Sequence, residues 1–96
     1  MAEKLDEAAL TGALKELPGW QRKPGANAVS REFSFKNFVD AFGFMTRVAL
    51  LAQKLDHHPD WSNGYNKVSI TLSTHSAGGI SDLDIALARE IDKLVA

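Results

Sequence analysis

In Lys67-Val68-Ser69-Ile70-Thr71-Leu72-Ser73, apolar and polar residues alternate without a break. Val68, Ile70 and Leu72 would line one face of a strand, with Lys67, Ser69, Thr71 and Ser73 on the other. A sheet built this way needs cover on one side only, so helices gathered on a single face are expected. Upstream, Asn63-Gly64 is the expected turn from a partner strand around Trp61. Downstream, Ala77-Gly78-Gly79 breaks the pattern, and Ser81 begins a last helix with Leu83, Leu87, Ile91 and Leu94 along one side.

The longest helical pattern runs from Asn37 to Leu55 and ends before Pro59. It carries two apolar stripes, one on Phe38, Phe42, Met45, Ala49 and Ala52, the other on Phe44, Val48, Leu51 and Leu55. One sheet face needs only one of them. Either the second meets a partner subunit, or the helix is buried within the monomer. Before it, Val29, Phe33 and Phe35 alternate with Ser30, Glu32 and Ser34, and Arg31 alone interrupts the apolar row. Leu5 to Leu17 reads as a first helix stopped by Pro18-Gly19. Trp20 to Lys23 reads as a short strand and Pro24-Gly25-Ala26-Asn27 as a turn. The order α-β-β-α-β-β-α predicts an α+β fold with a four-stranded antiparallel sheet and helices on one face.

The 96 residues suffice for one domain, residues 1–96, with a modest core that favours self-association. Eleven basic and twelve acidic residues are mixed along the chain for a net charge of -1. Direct nucleic-acid binding would need clustered Lys and Arg, and none is visible. The absence of cysteine excludes disulfides and thiolate zinc sites. The opening residues lack a signal-peptide pattern and no segment reads as a membrane span, so the expected address is cytoplasmic.

All three histidines fall between Asp56 and Asp84. Histidine titrates nearest neutrality, so imidazoles that converge could carry protons both ways in acid–base catalysis. His57 and His58 follow Asp56 at a helix end, where cationic side chains also serve simply as caps. His75 either projects away from the face of Val68, Ile70 and Leu72 or sits beyond the last strand pairing. Ser76, Ala77, Gly78 and Gly79 leave room beside it for a ligand. Asp84 stands at the third position of a Ser81 capping box, a structural place from which it could also orient an imidazole. Trp61 and Tyr65 suit a core, an interface or the flank of a flat heterocycle. Three histidines and an aspartate could ligate a metal, but no local chelating pair exists, and metal is the weaker reading.

The runs Ala41-Phe42-Gly43-Phe44-Met45-Thr46-Arg47-Val48-Ala49-Leu50, Lys54-Leu55-Asp56-His57-His58-Pro59-Asp60-Trp61, Tyr65-Asn66-Lys67-Val68 and Ile70-Thr71-Leu72-Ser73-Thr74-His75 closely resemble the pterin-4a-carbinolamine dehydratases. The likeness extends into Ile80 to Ile91 and is weakest in the first 25 residues. The family pattern, His-His-Pro then an aromatic, a histidine and an aspartate at fixed spacing, is met by Pro59, Tyr65, His75 and Asp84.

The resemblance implies dehydration of 4a-hydroxytetrahydropterin to quinonoid dihydropterin in tetrahydrobiopterin recycling, without metal or organic cofactor. It implies His57, His58 and His75 as the catalytic trio, with Asp56 and Asp84 supporting them. His57, His58, Pro59, Thr74, His75, Ser76 and Ala77 would border the pterin. It also implies homo-oligomers, dimers through the sheet edge and tetramers through central helices, which would use the stripe on Phe44, Val48 and Leu51. Two departures stand out: Gln53 where the family often carries a charged residue, and Leu83 where animal members have arginine. Animal members also act as dimerisation cofactors of a homeodomain transcription factor. An interaction module, or a binder that holds pterins without turnover, is therefore the alternative.

Overall fold

Val68, Ile70 and Leu72 are wholly buried, and their strand lies inside a sheet rather than at its edge. The computed structural model describes residues 2–25 and 27–96. In chain order these form α1 (Glu7–Lys15), β1 (Gln21–Arg22), β2 (Val29–Ser34), α2 (Phe38–Leu55), β3 (Asp60–Gly64), β4 (Lys67–Leu72) and α3 (Asp82–Val95), with a 3-10 turn over His75–Ala77. The four strands stand in the order β1-β2-β4-β3, and every neighbouring pair is antiparallel. This is the expected α+β arrangement. Ala26, within the expected turn of residues 24–27, lies outside the described residues. Among those described, no helix is long and apolar enough to cross a membrane.

Register assembles the apolar face. Val29 stands opposite Leu72, Phe33 opposite Val68, and Trp61 opposite Ile70. Onto this face α2 lays Ala41, Phe44, Val48 and Ala52, and α3 adds Ile85, Leu87, Ala88 and Ile91. Each large side chain so buried contributes roughly 1.5–3 kcal/mol. Phe44 is the joint between layers: its ring centroid lies 4.8 Å from that of Phe33 and 4.9 Å from that of Phe35. Arg31, the interruption in the β2 row, has a reason to be there. Its guanidinium reaches the Asp92 carboxylate of α3 at 2.7 Å, and Trp20 Nε1 donates to the same carboxylate at 2.8 Å. The sheet is thus pinned to α3 by charge as well as by apolar contact.

Three expectations are corrected. Phe44 and Val48, assigned by resemblance to a partner contact, have no exposed surface, and Leu51 packs against the same core. The sheet-side row is Ala41, Phe44, Val48 and Ala52, because Phe33 and Phe35 receive the Phe44 ring. Phe38 and Phe42, on the other stripe, are 45% and 55% exposed. The β3–β4 turn is Tyr65-Asn66, not Asn63-Gly64, which continue the strand as far as the Gly64–Lys67 pair. Asn63 Nδ2 holds the turn from below by donating to the Tyr65 and Lys67 carbonyls, while Tyr65 adopts a left-handed φ of 48°. Finally, α1 is shorter than Leu5 to Leu17. It starts after Asp6, whose carboxylate accepts the Ala9 N–H at 2.8 Å.

Phe44→Ala is expected to lower the unfolding free energy by about 3–5 kcal/mol in urea titrations. Ala49→Ser, on the exposed side of α2, should change it by less than about 0.5 kcal/mol.

Candidate active site

The pairing of β3 with β4 determines which reactive residues meet. Asp60 stands opposite Thr71, so the start of β3 lies beside the end of β4. His57, His58 and Pro59 lead into β3, and Ser73, Thr74 and His75 leave β4 at that same end. Tyr65, at the hairpin tip and 66% exposed, is displaced by five residues, ~16 Å at ~3.3 Å per residue. Trp61 is half-buried against the core.

A sharp reversal ends α2. Asp56 takes the left-handed conformation, φ 51°, and the His57 N–H returns to the Ala52 carbonyl at 3.0 Å. The His57 ring then faces the start of α3, where Nε2 lies 2.5 Å from Asp84 Oδ1. Asp84 has no exposed surface. Its Oδ2 accepts the Ser81 N–H at 2.8 Å and the Thr74 hydroxyl at 2.9 Å. Thr74 Oγ1 and Ser81 Oγ are 2.6 Å apart, and Ser81 Oγ accepts the Leu83 N–H at 3.2 Å. Since the Thr74 proton points to Asp84, the Ser81 hydroxyl must donate to Thr74. The capping box is therefore real, and its aspartate also grips an imidazole.

With Nε2–H directed at Asp84, a neutral His57 carries its free lone pair on Nδ1. His58 is exposed and donates from Nε2 to Gln53 Oε1 at 3.1 Å, which likewise leaves Nδ1 as its acceptor. Neutral glutamine is thus a hydrogen-bond partner at this position rather than a counter-charge. The Asp56 carboxylate makes no hydrogen bond to a histidine among the described residues; the residue's part at the site is the backbone reversal.

His75 sits beyond the last pairing of β4 and opens the 3-10 turn. Thr74 and Gly79 bridge the neck of this loop, Thr74 N–H to Gly79 O at 2.8 Å, and Gly78 closes it with φ 76°. The N-terminal segment straps the same region: Lys4 bridges Ser81, and the Leu5 N–H donates to the Ile80 carbonyl at 2.8 Å. A cavity of about 300 Å³ opens here, lined by Asn27, Ala28, Ser73, Thr74, His75, Gly78 and Gly79. His57 and His58 are not among its lining residues, and their connection to it runs through Asp84 and Thr74. Pro59 and Ala77 are half-buried nearby in the chain, and Ser76 is exposed. A separate cavity of about 350 Å³ between α2 and α3 contains no histidine. Among the described residues, no three His, Cys, Asp or Glu side chains are grouped to hold a metal ion.

Sequence reasoning anticipated His57, His75 and Asp84 but not the Ser81–Thr74 hydroxyl pair behind them. Nor did it place Asn27 beside His75. The one available signal was the small-residue loop, which implied a neighbour close enough to matter. The arrangement offers a cavity beside His75 and, linked to its Thr74 wall through Asp84, an imidazole with its Nε2 engaged.

Removing the carboxylate in Asp84→Ala would leave His57, Ser81 N–H and Thr74 without their acceptor and should cost about 3–5 kcal/mol of stability. In ¹⁵N NMR of the wild type, neutral His57 should be the Nε2–H tautomer, and Asp84→Asn should weaken that preference.

The comparisons with known proteins agree with this fold. The family model described as pterin 4 alpha carbinolamine dehydratase matches residues 3–94. A Rhodospirillum rubrum protein with the provisional name pterin-4-alpha-carbinolamine dehydratase is 55% identical over 95 residues, covering 99% of each chain. A Bradyrhizobium protein with the same provisional name is 52% identical, covering 100% of this chain and 97% of its own. The crystal structure of a transcriptional coactivator/pterin dehydratase from Brucella melitensis superposes with a TM-score of 0.95 at 48% identity, covering 98% of this chain and 100% of the other. A pterin dehydratase-like protein identified as a RuBisCO assembly factor in the alpha-carboxysome is more distant, with TM-score 0.62, 26% identity, and coverage of 78% of this chain and 84% of its own. By fold and by sequence similarity over almost its whole length, the chain belongs to the pterin 4 alpha carbinolamine dehydratase family.

Proposed function

We propose that this chain dehydrates 4a-hydroxytetrahydropterin to quinonoid dihydropterin by histidine acid–base catalysis, in the recycling of tetrahydrobiopterin behind an aromatic amino-acid hydroxylase. The C4a–O bond breaks, a proton joins the leaving oxygen, and the proton on N5 is removed. Water leaves and a C4a=N5 bond forms, so the step is redox-neutral. What supports the reading is the chain from His57 through Asp84 to Thr74, ending next to His75 at a cavity wall. His57 and His75 divide the two proton transfers, and His58 binds substrate or assists. Positioned acid–base groups are each worth ~10²–10⁴ in rate.

Stopped-flow absorbance on enzymatically generated 4a-hydroxytetrahydropterin tests this. His57→Ala and His75→Ala should each slow turnover by at least about 10², and wild-type kcat/KM should give a bell-shaped pH profile. A double variant that keeps the wild-type rate overturns the assignment. If the wild type itself fails to accelerate dehydration, the non-catalytic interaction module becomes the better reading.

The exposed side of α2 supports self-association. Phe38, Val39, Phe42 and Leu50 are 45%, 76%, 55% and 68% exposed, more apolar surface than a solvated helix face requires. A homodimer or tetramer through this side would cover them. Phe42→Asp should then lower the sedimentation coefficient, and an unchanged value would remove this face from the assembly.

A further inference from the structure

One side chain on the wall of the His75 cavity has chemistry that the dehydration mechanism does not use. Asn27, in the β1–β2 connection, reaches the carbonyl of Gly78 with Nδ2 at 3.4 Å. That distance is at the long end of hydrogen bonding, so little is lost if the carboxamide turns to a ligand. The loop it touches has few free groups of its own. Thr74 and Gly79 N–H donate to each other's carbonyls, Ala77 N–H donates to Thr74 O, and Gly78 N–H donates to His75 O. The Thr74 hydroxyl is engaged by Asp84. Among the described lining residues, the remaining polar side chains are Ser73, His75 and Asn27. Of these, only the carboxamide offers a donor and an acceptor side by side in one plane.

Resting on the pterin reading above, we propose that Asn27 is a specificity residue that contacts the substrate's 2-aminopyrimidinone edge. Its Oδ1 accepts from the 2-amino group and its Nδ2 donates to the adjacent ring nitrogen N1. A cavity of about 300 Å³ lies at the small end of the range for small-molecule sites, ~300–1,000 Å³, which suits a bicyclic heterocycle. The pairing places the pyrimidinone on the Asn27 side and leaves the reacting C4a–N5 side for the histidines. It also reads the 2-amino group: a ring without that group leaves Oδ1 with no donor, whereas a 2-oxo ring would be met by the turned carboxamide.

The test is fluorescence titration of wild type and variants with pterin and with pteridin-4(3H)-one, its counterpart without the 2-amino group, alongside stopped-flow kinetics. The wild type should prefer pterin by about tenfold, the value of one well-made hydrogen bond. Asn27→Ala should weaken pterin binding by at least a similar factor and weaken pteridin-4(3H)-one less, so that the preference shrinks. It should raise KM with kcat within about twofold, as loss of uniform binding requires. Asn27→Asp keeps the acceptor, loses the donor, and should fall between the two. Asn27 is exposed, so the melting temperature should not move. If Asn27→Ala leaves both affinities and KM unchanged, or weakens pterin and pteridin-4(3H)-one equally, the assignment to Asn27 is overturned while the dehydratase reading stands. A wild type that neither binds pterin nor dehydrates the carbinolamine overturns the reading underneath it.

Discussion

A carboxylate with no contact with water is costly unless its lone pairs are filled, and at Asp84 they are filled by three different parts of the chain. Ser81 N–H belongs to the first turn of α3, the Thr74 hydroxyl to the exit of β4, and the His57 imidazole to the end of α2. Folding must bring all three together to bury this one group. The residue that starts the last helix is therefore also the one that fixes a candidate catalytic ring. Stability and chemistry at this end of the sheet depend on the same pair of oxygens.

The sheet makes that convergence possible. A one-residue slip of β3 against β4 would turn Trp61 away from the core and shift His57 relative to Asp84. Burial of the apolar row thus enforces the register that the site needs. The Arg31–Asp92 pair and the Trp20 indole hold α3 against the opposite side of the sheet, so α3 is fixed near both ends.

Much of this was legible in the residues. Strict alternation in β4 and the Ser81-x-x-Asp84 box each have a local physical signature, and each appeared in place. The facing of α2 did not, because both of its stripes satisfy helical periodicity. What distinguishes them is which aromatic side chains of the β2 region receive Phe44, a long-range fact. Asn63-Gly64 carries strong turn chemistry, yet the Asn63 amide was needed by two carbonyls of the hairpin loop, and the turn moved on by two residues. The hydroxyl pair behind Asp84 has no sequence mark at all: a serine and a threonine seven positions apart become neighbours only once the loop between them closes through Thr74 and Gly79.

That hydroxyl pair has a polarity. The Asp84 carboxylate can only accept, so Thr74 must give it a proton, and Ser81, which accepts from the Leu83 amide, must pass its own forward to Thr74. Neither hydroxyl can turn around alone, because the carboxylate at the end of the series has no proton to give back. Asp84 therefore receives from the hydroxyl side and from the imidazole side alike, and a neutral His57 can exchange protons with a bound molecule only through the ring nitrogen that faces away from it.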